Sequence, residues 1–192
     1  MERVLVIGCP GAGKSTLARA IAARLGLPCY PLDREYWRAD WRPSPESEFF
    51  ARVQAIVDQP RWVLDGNYAR TLPIRLPRAD TVIHLDFARW RCLWGICRRT
   101  FICTNFAVDR PDMPEGCPEK WDWEFVEWVW DFRRTHRDLT LAALAPFADR
   151  CRIVTLRNHR QAGAFLATLG DGRTQGIVSA DAPELGVAAS VG

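Results

Sequence analysis

Short apolar runs alternate with longer amphipathic stretches over the first 169 residues of the chain. The apolar runs are rich in Val, Ile and Leu and end at polar or turn residues, a pattern that is typical of buried parallel strands. Strands are predicted over residues 4–7, 28–32, 62–64, 81–85 and 152–156. Helices are predicted over residues 14–25, 45–58, 88–103, 121–144 and 160–169.

This alternation of strands and helices predicts an α/β fold in which helices cover both faces of a parallel sheet. Crossover connections in such sheets are right-handed, and ligands gather at the carboxyl ends of the strands. The 192 residues suit a single domain, which we predict over residues 1–170. Residues 171–192 contain no aromatic residue and show no periodicity, so we expect a flexible C-terminal tail there.

The composition is that of an ordinary globular domain, with 48% hydrophobic and 26% charged residues. A net charge of +3 gives no overall basic signal, so direct binding to DNA is not expected. No apolar run approaches the roughly 20 residues of a membrane span, and the N-terminus leads straight into a predicted strand without a signal peptide. We therefore expect a cytoplasmic protein that does not bind membranes.

Seven cysteines, an odd number, are scattered through mostly apolar surroundings without the spacing of a disulfide framework. Reduced thiols in a cytosolic core are the simplest interpretation. A zinc-stabilised loop using Cys103 and Cys117 is an alternative, but the two residues form no C-x-x-C pair and fall short of a four-ligand site. No structural metal is predicted.

A glycine-rich loop joins the first predicted strand to the first predicted helix, and it matches the pattern G-x-x-x-x-G-K-[ST] in full. Its glycines allow successive backbone N–H groups to point inward around phosphate oxygens, and the following helix adds its own free N–H groups. The alternative is a chance match in which the glycines only make the turn. The predicted nucleotide-binding residues are Gly8, Cys9, Pro10, Gly11, Ala12, Gly13, Lys14, Ser15 and Thr16.

Lysine is rare in this chain, since only Lys14 and Lys120 among the 26 basic residues are lysine. A compact ammonium on a flexible stem suits the β- and γ-phosphates, where a broad guanidinium fits poorly. We predict that Lys14 is a catalytic residue on those phosphates and that Ser15 is a Mg²⁺ ligand. ATP and Mg²⁺ are therefore the predicted cofactors.

Three predicted strands close on an aspartate, at Asp33, Asp65 and Asp86. An apolar strand that ends on aspartate is typical of the carboxylate that holds Mg²⁺ beside a phosphate loop, directly or through water, and Asp65 is the best candidate because Gly66 follows it. Asp33 is predicted to be a catalytic residue that orients or deprotonates an acceptor hydroxyl. The alternative for each aspartate is a helix cap or a turn.

Residues 104–120 contain three prolines and a glycine and cannot form a continuous helix. We interpret them as a mobile lid that excludes water and brings arginines over the transferring phosphoryl group. The alternative is a solvated basic helix face. Arg110 and Arg134 are the predicted catalytic members of a set of arginines that lie in this loop or flank it, namely Arg98, Arg99, Arg110, Arg133, Arg134 and Arg137.

Aromatic residues are concentrated in the predicted helix that follows the lid. At helical spacing Trp121, Phe125, Trp128 and Phe132 share one face, which we interpret as core packing rather than base recognition. Trp37 and Trp41 follow Asp33 in a polar segment bounded by proline, and they are candidates for an acceptor pocket.

The combined motifs are more specific than the phosphate loop alone. They are the loop itself, Leu32-Asp33 with Trp37, Leu64-Asp65-Gly66-Asn67-Tyr68, Leu85-Asp86-Phe87-Ala88-Arg89-Trp90, and Arg110-Pro111-Asp112-Met113 leading to Glu115-Gly116-Cys117-Pro118-Glu119-Lys120. Over about residues 1–169 the chain resembles the bacterial "DNA topology modulation" family of P-loop proteins, which is related to adenylate kinase and other nucleoside monophosphate kinases. The resemblance implies a three-layer fold with a lid insertion and five parallel strands in the order 2-3-1-4-5.

The chain departs from adenylate kinase after the third strand. That enzyme typically reads Asp-Gly-Phe-Pro-Arg there, whereas Asp65-Gly66 is followed here by Asn67-Tyr68-Ala69-Arg70, which displaces the arginine by one position. The displacement weighs against recognition of an AMP phosphate and opens the acceptor to other small molecules.

Three functions are compatible with the sequence. The first is an adenylate-kinase-like phosphotransferase that moves the ATP γ-phosphoryl group to a nucleotide or another small acceptor. The alternative is a nucleotide-dependent regulator of DNA topology or gene expression without robust small-molecule kinase activity. A GTPase switch is the third, and it is disfavoured because no Asn-Lys-x-Asp motif occurs. ATP and a small acceptor are the predicted partners.

Overall fold

The structure is a computed structural model that describes residues 1–108 and 110–170. Its strands are β1 (Arg3–Gly8), β2 (Cys29–Pro31), β3 (Trp37–Arg38), β4 (Arg42–Pro43), β5 (Trp62–Asp65), β6 (Thr81–Leu85) and β7 (Arg152–Leu156). Its α-helices are α1 (Lys14–Leu25), α2 (Leu32–Tyr36), α3 (Glu46–Val57), α4 (Leu72–Arg75), α5 (Arg89–Phe106), α6 (Trp123–Leu144) and α7 (His159–Thr168). None of the helices in these described ranges is long and apolar enough to cross a membrane. The predicted tail, residues 171–192, lies outside the described residues.

Five strands form one parallel sheet in the order β2-β5-β1-β6-β7. Counted along the predicted strands, this is the order 2-3-1-4-5, so the α/β fold class is confirmed. The central strand β1 pairs Val6 with Asp65 of β5 and Gly8 with Leu85 of β6. This register brings the carboxyl ends of β1, β5 and β6 to one edge of the sheet, which is where the phosphate loop begins.

The two faces of the sheet are covered by different helices. Val4 and Val6 of β1 point into a core that is shared with α1, α5, α7 and part of α6. Leu5 and Ile7 point into a second core, which is shared with α3 and with the end of α6 at Leu144. Each fully buried aliphatic side chain contributes on the order of 2 kcal/mol, so the central strand is held from both sides.

Several element boundaries differ from the sequence-based prediction. The second strand ends at Pro31, and Leu32 already belongs to α2, so Asp33 lies in the first turn of a short helix. Carboxylates are favoured there because they face the positive end of the helix dipole. Helix α5 continues to Phe106, into the first residues of the predicted lid. The small antiparallel hairpin β3–β4 was not predicted.

The aromatic face of α6 is only partly buried. Phe132 is 7% exposed, but Trp128 is 41% exposed, and Trp121, which precedes the first residue of the helix, is 49% exposed. The core interpretation was therefore wrong for these two tryptophans. Helix α6 buries Val129, Phe132 and, at its end, Leu144. Trp128 instead packs on Phe125 and Phe132 of its own helix.

Candidate nucleotide and acceptor site

The phosphate loop lies between β1 and α1 in a conformation that only glycine adopts easily. Gly8, Gly11 and Gly13 have φ angles of 137°, 79° and 86°. No side chain caps the first turn of α1, so its N–H groups remain available to an anion. Of the predicted nucleotide-binding residues, Gly8, Cys9 and Ala12 are buried, Gly13 and Thr16 are exposed, and Pro10, Gly11, Lys14 and Ser15 are partly exposed.

Lys14 and Cys9 contribute to the loop in different ways. The Nζ of Lys14 donates to the carbonyl oxygen of Cys9 across 3.2 Å, which holds the ammonium over the loop. The Sγ of Cys9 points away from the loop toward the carbonyl of Val129. A hydrogen bond with Cys92 and burial raise the pKa of Cys9, so its thiol stays protonated. Only the main chain of Cys9 is available to phosphate.

Helix α5 rests directly against the phosphate loop. A Cβ atom on Gly95 would lie 2.1 Å from the carbonyl oxygen of Gly11, and one on Gly11 would lie 2.0 Å from the carbonyl oxygen of Cys92. Real Cβ atoms do not approach backbone atoms so closely. The backbones of α5 and the loop are therefore in contact, and Gly95 is a residue of the site that the sequence analysis missed.

Asp65 lies at the end of β5, one strand from the loop, and is 5% exposed. Burial raises the pKa of Asp65 to about 6, against the opposing effects of the Lys14 charge and the nearby Ser15 hydroxyl. Its Oδ1 atom is buried without a hydrogen-bond partner. An unpaired carboxylate oxygen beside a serine hydroxyl fits a Mg²⁺ ion or a water bound to it.

The donor set for Mg²⁺ is small. Within residues 1–108 and 110–170 no three His, Cys, Asp or Glu side chains are grouped to hold a metal ion. Mg²⁺ in nucleotide sites is usually bound by one or two protein groups together with phosphates and waters. Ser15 and Asp65 therefore fit a nucleotide-dependent Mg²⁺ site and do not form a protein-only metal centre.

Asp33 lies across from the loop, and two side chains hold its carboxylate. Tyr68 donates its hydroxyl to Oδ1 of Asp33 across 2.7 Å, and Nη2 of Arg110 is 3.9 Å from Oδ2. Burial and the charge of Asp33 raise the pKa of Tyr68, so the phenol remains a donor. The Asp33 side chain is still 38% exposed, which leaves its carboxylate accessible to an acceptor.

Arg110 is the centre of a cluster of carboxylates in the lid segment. It pairs with Asp112 at 2.6 Å and with Glu119 at 3.0 Å, and its side chain is 11% exposed. Burial opposes the charged form, but these carboxylates outweigh it and raise the pKa of Arg110. Asp112 also accepts a hydrogen bond from Ser15 at 3.4 Å. The lid segment thus touches the phosphate loop through Asp112, which the sequence analysis did not propose as a site residue.

The β3–β4 hairpin and the lid segment are joined by three hydrogen bonds that we call the clasp. The backbone N–H of Asp40 donates to the carbonyl of Gly116 at 2.8 Å, and Nε1 of Trp41 donates to that of Pro118 at 3.1 Å. The third bond runs from the Cys117 thiol to the carbonyl of Arg38 at 3.1 Å. Trp41 therefore links the β3–β4 hairpin to the lid segment on the acceptor side of the site.

Arg134 lies away from the carboxylate cluster. Its side chain is 74% exposed and pairs with Asp131 on the same helix. Its neighbours Arg133 and Arg137 instead bind the two oxygens of Asp86, each at 3.1 Å. Burial alone would raise the pKa of Asp86, but these arginines hold it below its ordinary value. A cavity of about 450 Å³ is lined by Arg89, Arg133, Arg134, Arg137 and Asp138.

Arg75 and Asn67 shape the turn after Asp65. Arg75 is fully buried and donates to the carbonyl oxygens of Gly66, Asn67 and Tyr68. Burial lowers its pKa to about 9. The Oδ1 of Asn67 accepts the backbone N–H of Gly8 at 2.9 Å, which ties the turn to the phosphate loop. The unusual Asn67-Tyr68 pair was visible in the sequence, but the burial of Arg75 against their carbonyl oxygens was not.

Sequence comparisons match part of the chain. A family model for the ATPase family associated with various cellular activities (AAA) matches residues 4–60. An adenylate kinase from Clavibacter michiganensis subsp. michiganensis is 35% identical over 80 residues, which are 42% of this chain and 38% of that enzyme. The matched region therefore spans well under half of this relative.

Two solved kinase structures are similar over most of the chain. Shikimate kinase from Bacteroides thetaiotaomicron is 16% identical with a TM-score of 0.45, and the match covers 88% of this chain and 95% of that one. A gluconokinase from Sinorhizobium meliloti 1021 is 15% identical with a TM-score of 0.47, covering 88% and 93%. The fold follows from this chain's own sheet order and phosphate loop. It is a P-loop NTPase fold.

Proposed function

We propose that this protein is a Mg²⁺-dependent phosphotransferase that moves the γ-phosphoryl group of ATP to a small acceptor. The observation that carries the proposal is the convergence of Lys14, Ser15, Asp65 and Asp33 at the carboxyl edge of one parallel sheet. Asn67, two residues after Asp65, accepts the backbone N–H of Gly8 in the loop. Ser15 is linked to Asp33 through Asp112 and Arg110, so these groups lie close together. The partial similarity to an adenylate kinase supports the same chemistry.

The donor half binds and orients the nucleotide. The loop N–H groups and the first turn of α1 surround the phosphate oxygens, and Lys14 neutralises charge that grows on the β–γ bridge. Ser15 and Asp65 would hold Mg²⁺, which supplies a further positive charge on the phosphates when it is bound. Asp33 holds the acceptor, orients its attacking group and accepts its proton.

The arginines differ in how far they are from the reacting groups. Arg110 bridges Asp33 of the acceptor half and Asp112, which touches Ser15 of the donor half. It is therefore suited to stabilise charge on the transferring group. Arg134 lines the arginine cavity at the end of β6, apart from the carboxylate cluster around Arg110. Arg133 and Arg137 are held by Asp86 at that same edge and are further candidates.

Membership in the "DNA topology modulation" family remains a proposal that rests on the motifs. We propose a cytoplasmic location on the basis of seven unpaired cysteines.

A direct regulator of DNA would still bind plasmid DNA at about 200 mM salt, whereas binding of this protein should vanish by that salt concentration. Retention of DNA at that salt, together with no phosphoryl transfer, would favour the regulatory alternative.

The proposal is tested by replacing the loop lysine. Lys14→Ala removes the cation on the phosphates, so ADP formation from MgATP and acceptor should fall by at least about 100-fold. The control is Arg61→Ala, which removes an exposed cation at the opposite edge of the sheet, beside the carbonyl of Leu25. ADP release is followed by a coupled assay. Full activity in Lys14→Ala would refute the assigned chemistry.

A further inference from the structure

We infer that the acceptor presents an alcohol hydroxyl and carries no phosphate group of its own. The inference rests on the proposed transferase function and concerns the class of molecule that occupies the space beside Asp33. It narrows the acceptor to hydroxyl compounds and excludes nucleoside monophosphates. The charges, the aromatic rings and the hydrogen bonds around Asp33 support it independently of one another.

The charge around Asp33 is unfavourable for a phosphate dianion. Among the described residues, the cation that reaches within 4 Å of its carboxylate is Arg110, at 3.9 Å. That guanidinium is shared with Asp112 and Glu119, both of which are nearer to it. Glu119 also pairs with Arg99 at 2.8 Å, so two cations serve three carboxylates. A phosphate placed there would add two negative charges to a group that already has excess negative charge.

Three other arginines near the acceptor side already have partners. Arg52 donates to the carbonyl of Glu35 and to the hydroxyl of Ser44. Arg75 is buried against backbone carbonyls. Arg70 lies over the ring of Tyr36 at 5.0 Å from its centroid and pairs with Glu46 at 3.5 Å. In the part of the chain that the structure describes, these guanidiniums therefore offer no pair of uncommitted cations to a phosphate.

Aromatic rings form the wall beside Asp33. Tyr36 and Tyr68 lie 5.0 Å apart between ring centroids, and Phe49 lies 5.0 Å from Tyr68 behind them. The faces of such rings carry negative partial charge, so they favour C–H groups and disfavour anions. Tyr36 and Tyr68 are both partly exposed and can contact an acceptor. This wall suits the carbon skeleton of an alcohol.

The hydrogen bonds of Asp33 leave one oxygen free for a hydroxyl. Tyr68 occupies Oδ1 at 2.7 Å, whereas Arg110 stands 3.9 Å from Oδ2, beyond hydrogen-bond distance. An acceptor O–H can therefore donate to Oδ2. Tyr68 keeps the carboxylate oriented for this contact, which makes it a positioning residue.

The chemical step balances without any further reactant. The acceptor oxygen attacks the γ-phosphorus and forms a new O–P bond, while the bond from that phosphorus to the β–γ bridging oxygen breaks. The electron pair of the broken bond leaves with ADP. The hydroxyl proton passes to Oδ2 of Asp33 and then to solvent. The products are ADP, a phosphate monoester and a proton.

Two acceptor classes separate this inference from its alternative. The protein and MgATP are incubated with adenosine, uridine, glycerol, ribitol and glycerate, and separately with AMP, CMP, GMP, UMP and dTMP. Phosphorus NMR distinguishes a new monoester from a new diphosphate. We expect monoester from at least one alcohol, with kcat/KM at least about 100 times that of any nucleotide.

The outcomes of this panel are distinct. Nucleoside diphosphate formed at a comparable rate would overturn the inference and leave the proposed function standing. Transfer to neither class would reject the proposed function together with the inference.

A charge variant supplies a second readout. Asp33→Asn should lower transfer to the alcohol by at least about 100-fold and should also strengthen inhibition by the nucleoside monophosphates about tenfold, because it removes the like charge. Asp58→Asn is the matched control, since Asp58 is an exposed carboxylate paired with Arg78 on the surface. If Asp33 had a purely structural role, the variant would show both lower transfer to the alcohol and weaker inhibition by the nucleoside monophosphates. Unchanged nucleotide inhibition in Asp33→Asn would contradict the charge argument.

Discussion

Asp65 shows how one residue serves function at the expense of stability. Burial raises the pKa of its carboxyl to about 6, from an ordinary value of 3.8. Between about pH 4 and pH 6 the folded protein holds this proton while the unfolded chain releases it, so stability falls as pH rises through that window. Above it the ionised carboxylate costs up to about 3 kcal/mol. Metal binding nevertheless requires the ionised form.

We therefore expect Asp65→Asn to have opposite effects on stability and on binding. At pH 8 the ligand-free variant should unfold at a higher temperature than the wild type, and this difference should shrink at pH 4. Its affinity for MgATP should fall at least about tenfold, because the Mg²⁺ ligand is lost. Differential scanning fluorimetry and calorimetric titration measure the two effects. Asp58→Asn is the control, and a variant that is less stable than the wild type at pH 8 would contradict the assignment.

At the scale of elements, α5 fixes the shape of the phosphate loop. Its backbone touches that of the loop at Gly95 and Gly11, and no side chain fits between them. Alanine normally stabilises a helix relative to glycine by roughly 1 kcal/mol. At position 95 that gain is opposed by a collision with the carbonyl oxygen of Gly11, 2.1 Å from the added Cβ.

Gly95→Ala should therefore impair nucleotide binding even though it improves helix propensity. We expect the dissociation constant for ATP to rise at least about tenfold, since displacement of the loop misaligns its N–H groups. Gly163→Ala in α7 is the matched control, because nothing lies within 4 Å of the added Cβ there. Fluorescence titration with a nucleotide analogue compares the two. Equal affinities in both variants would show that the loop accommodates the methyl group.

The elements that could be predicted are those whose signal is local. The buried strands and the phosphate loop are read from adjacent residues, and the resemblance supplied the strand order. By contrast, Asp112 contacts Ser15, which is 97 positions away in the sequence. This contact forms only when the lid segment packs against the phosphate loop, so no local pattern predicts it. The hairpin β3–β4 has only two residues in each strand, too few for a periodic pattern. The burial of Arg75 was equally hidden, because arginine in a sequence predicts exposure.

Across the whole molecule, the donor and acceptor halves are linked by long-range contacts. Asp112 of the lid segment bonds Ser15 of the loop, and Arg110 pairs with Asp112 and approaches Asp33. The clasp then joins the same segment to the β3–β4 hairpin. A ligand bound to the phosphate loop therefore contacts residues that are linked, through the lid segment, to the β3–β4 hairpin on the acceptor side.

This connection predicts how the protein responds to a non-hydrolysable ATP analogue with Mg²⁺. At 100 times its dissociation constant, the ligand adds about 2.7 kcal/mol to stability and should raise Tm by about 5 to 10 °C. Hydrogen exchange should slow in residues 8–15 and also in residues 37–43 and 110–120, because the contacts through Ser15 and Arg110 pass the restraint to the clasp. Residues 54–57 at the C-terminal end of α3 provide the internal reference, since in the described structure their side chains make no hydrogen bond or ion pair with the hairpin or the lid segment. Protection confined to residues 8–15 would mean that the two halves bind their ligands independently. Nucleotide binding would then leave the acceptor side unchanged, and the acceptor could enter it whether or not ATP is bound.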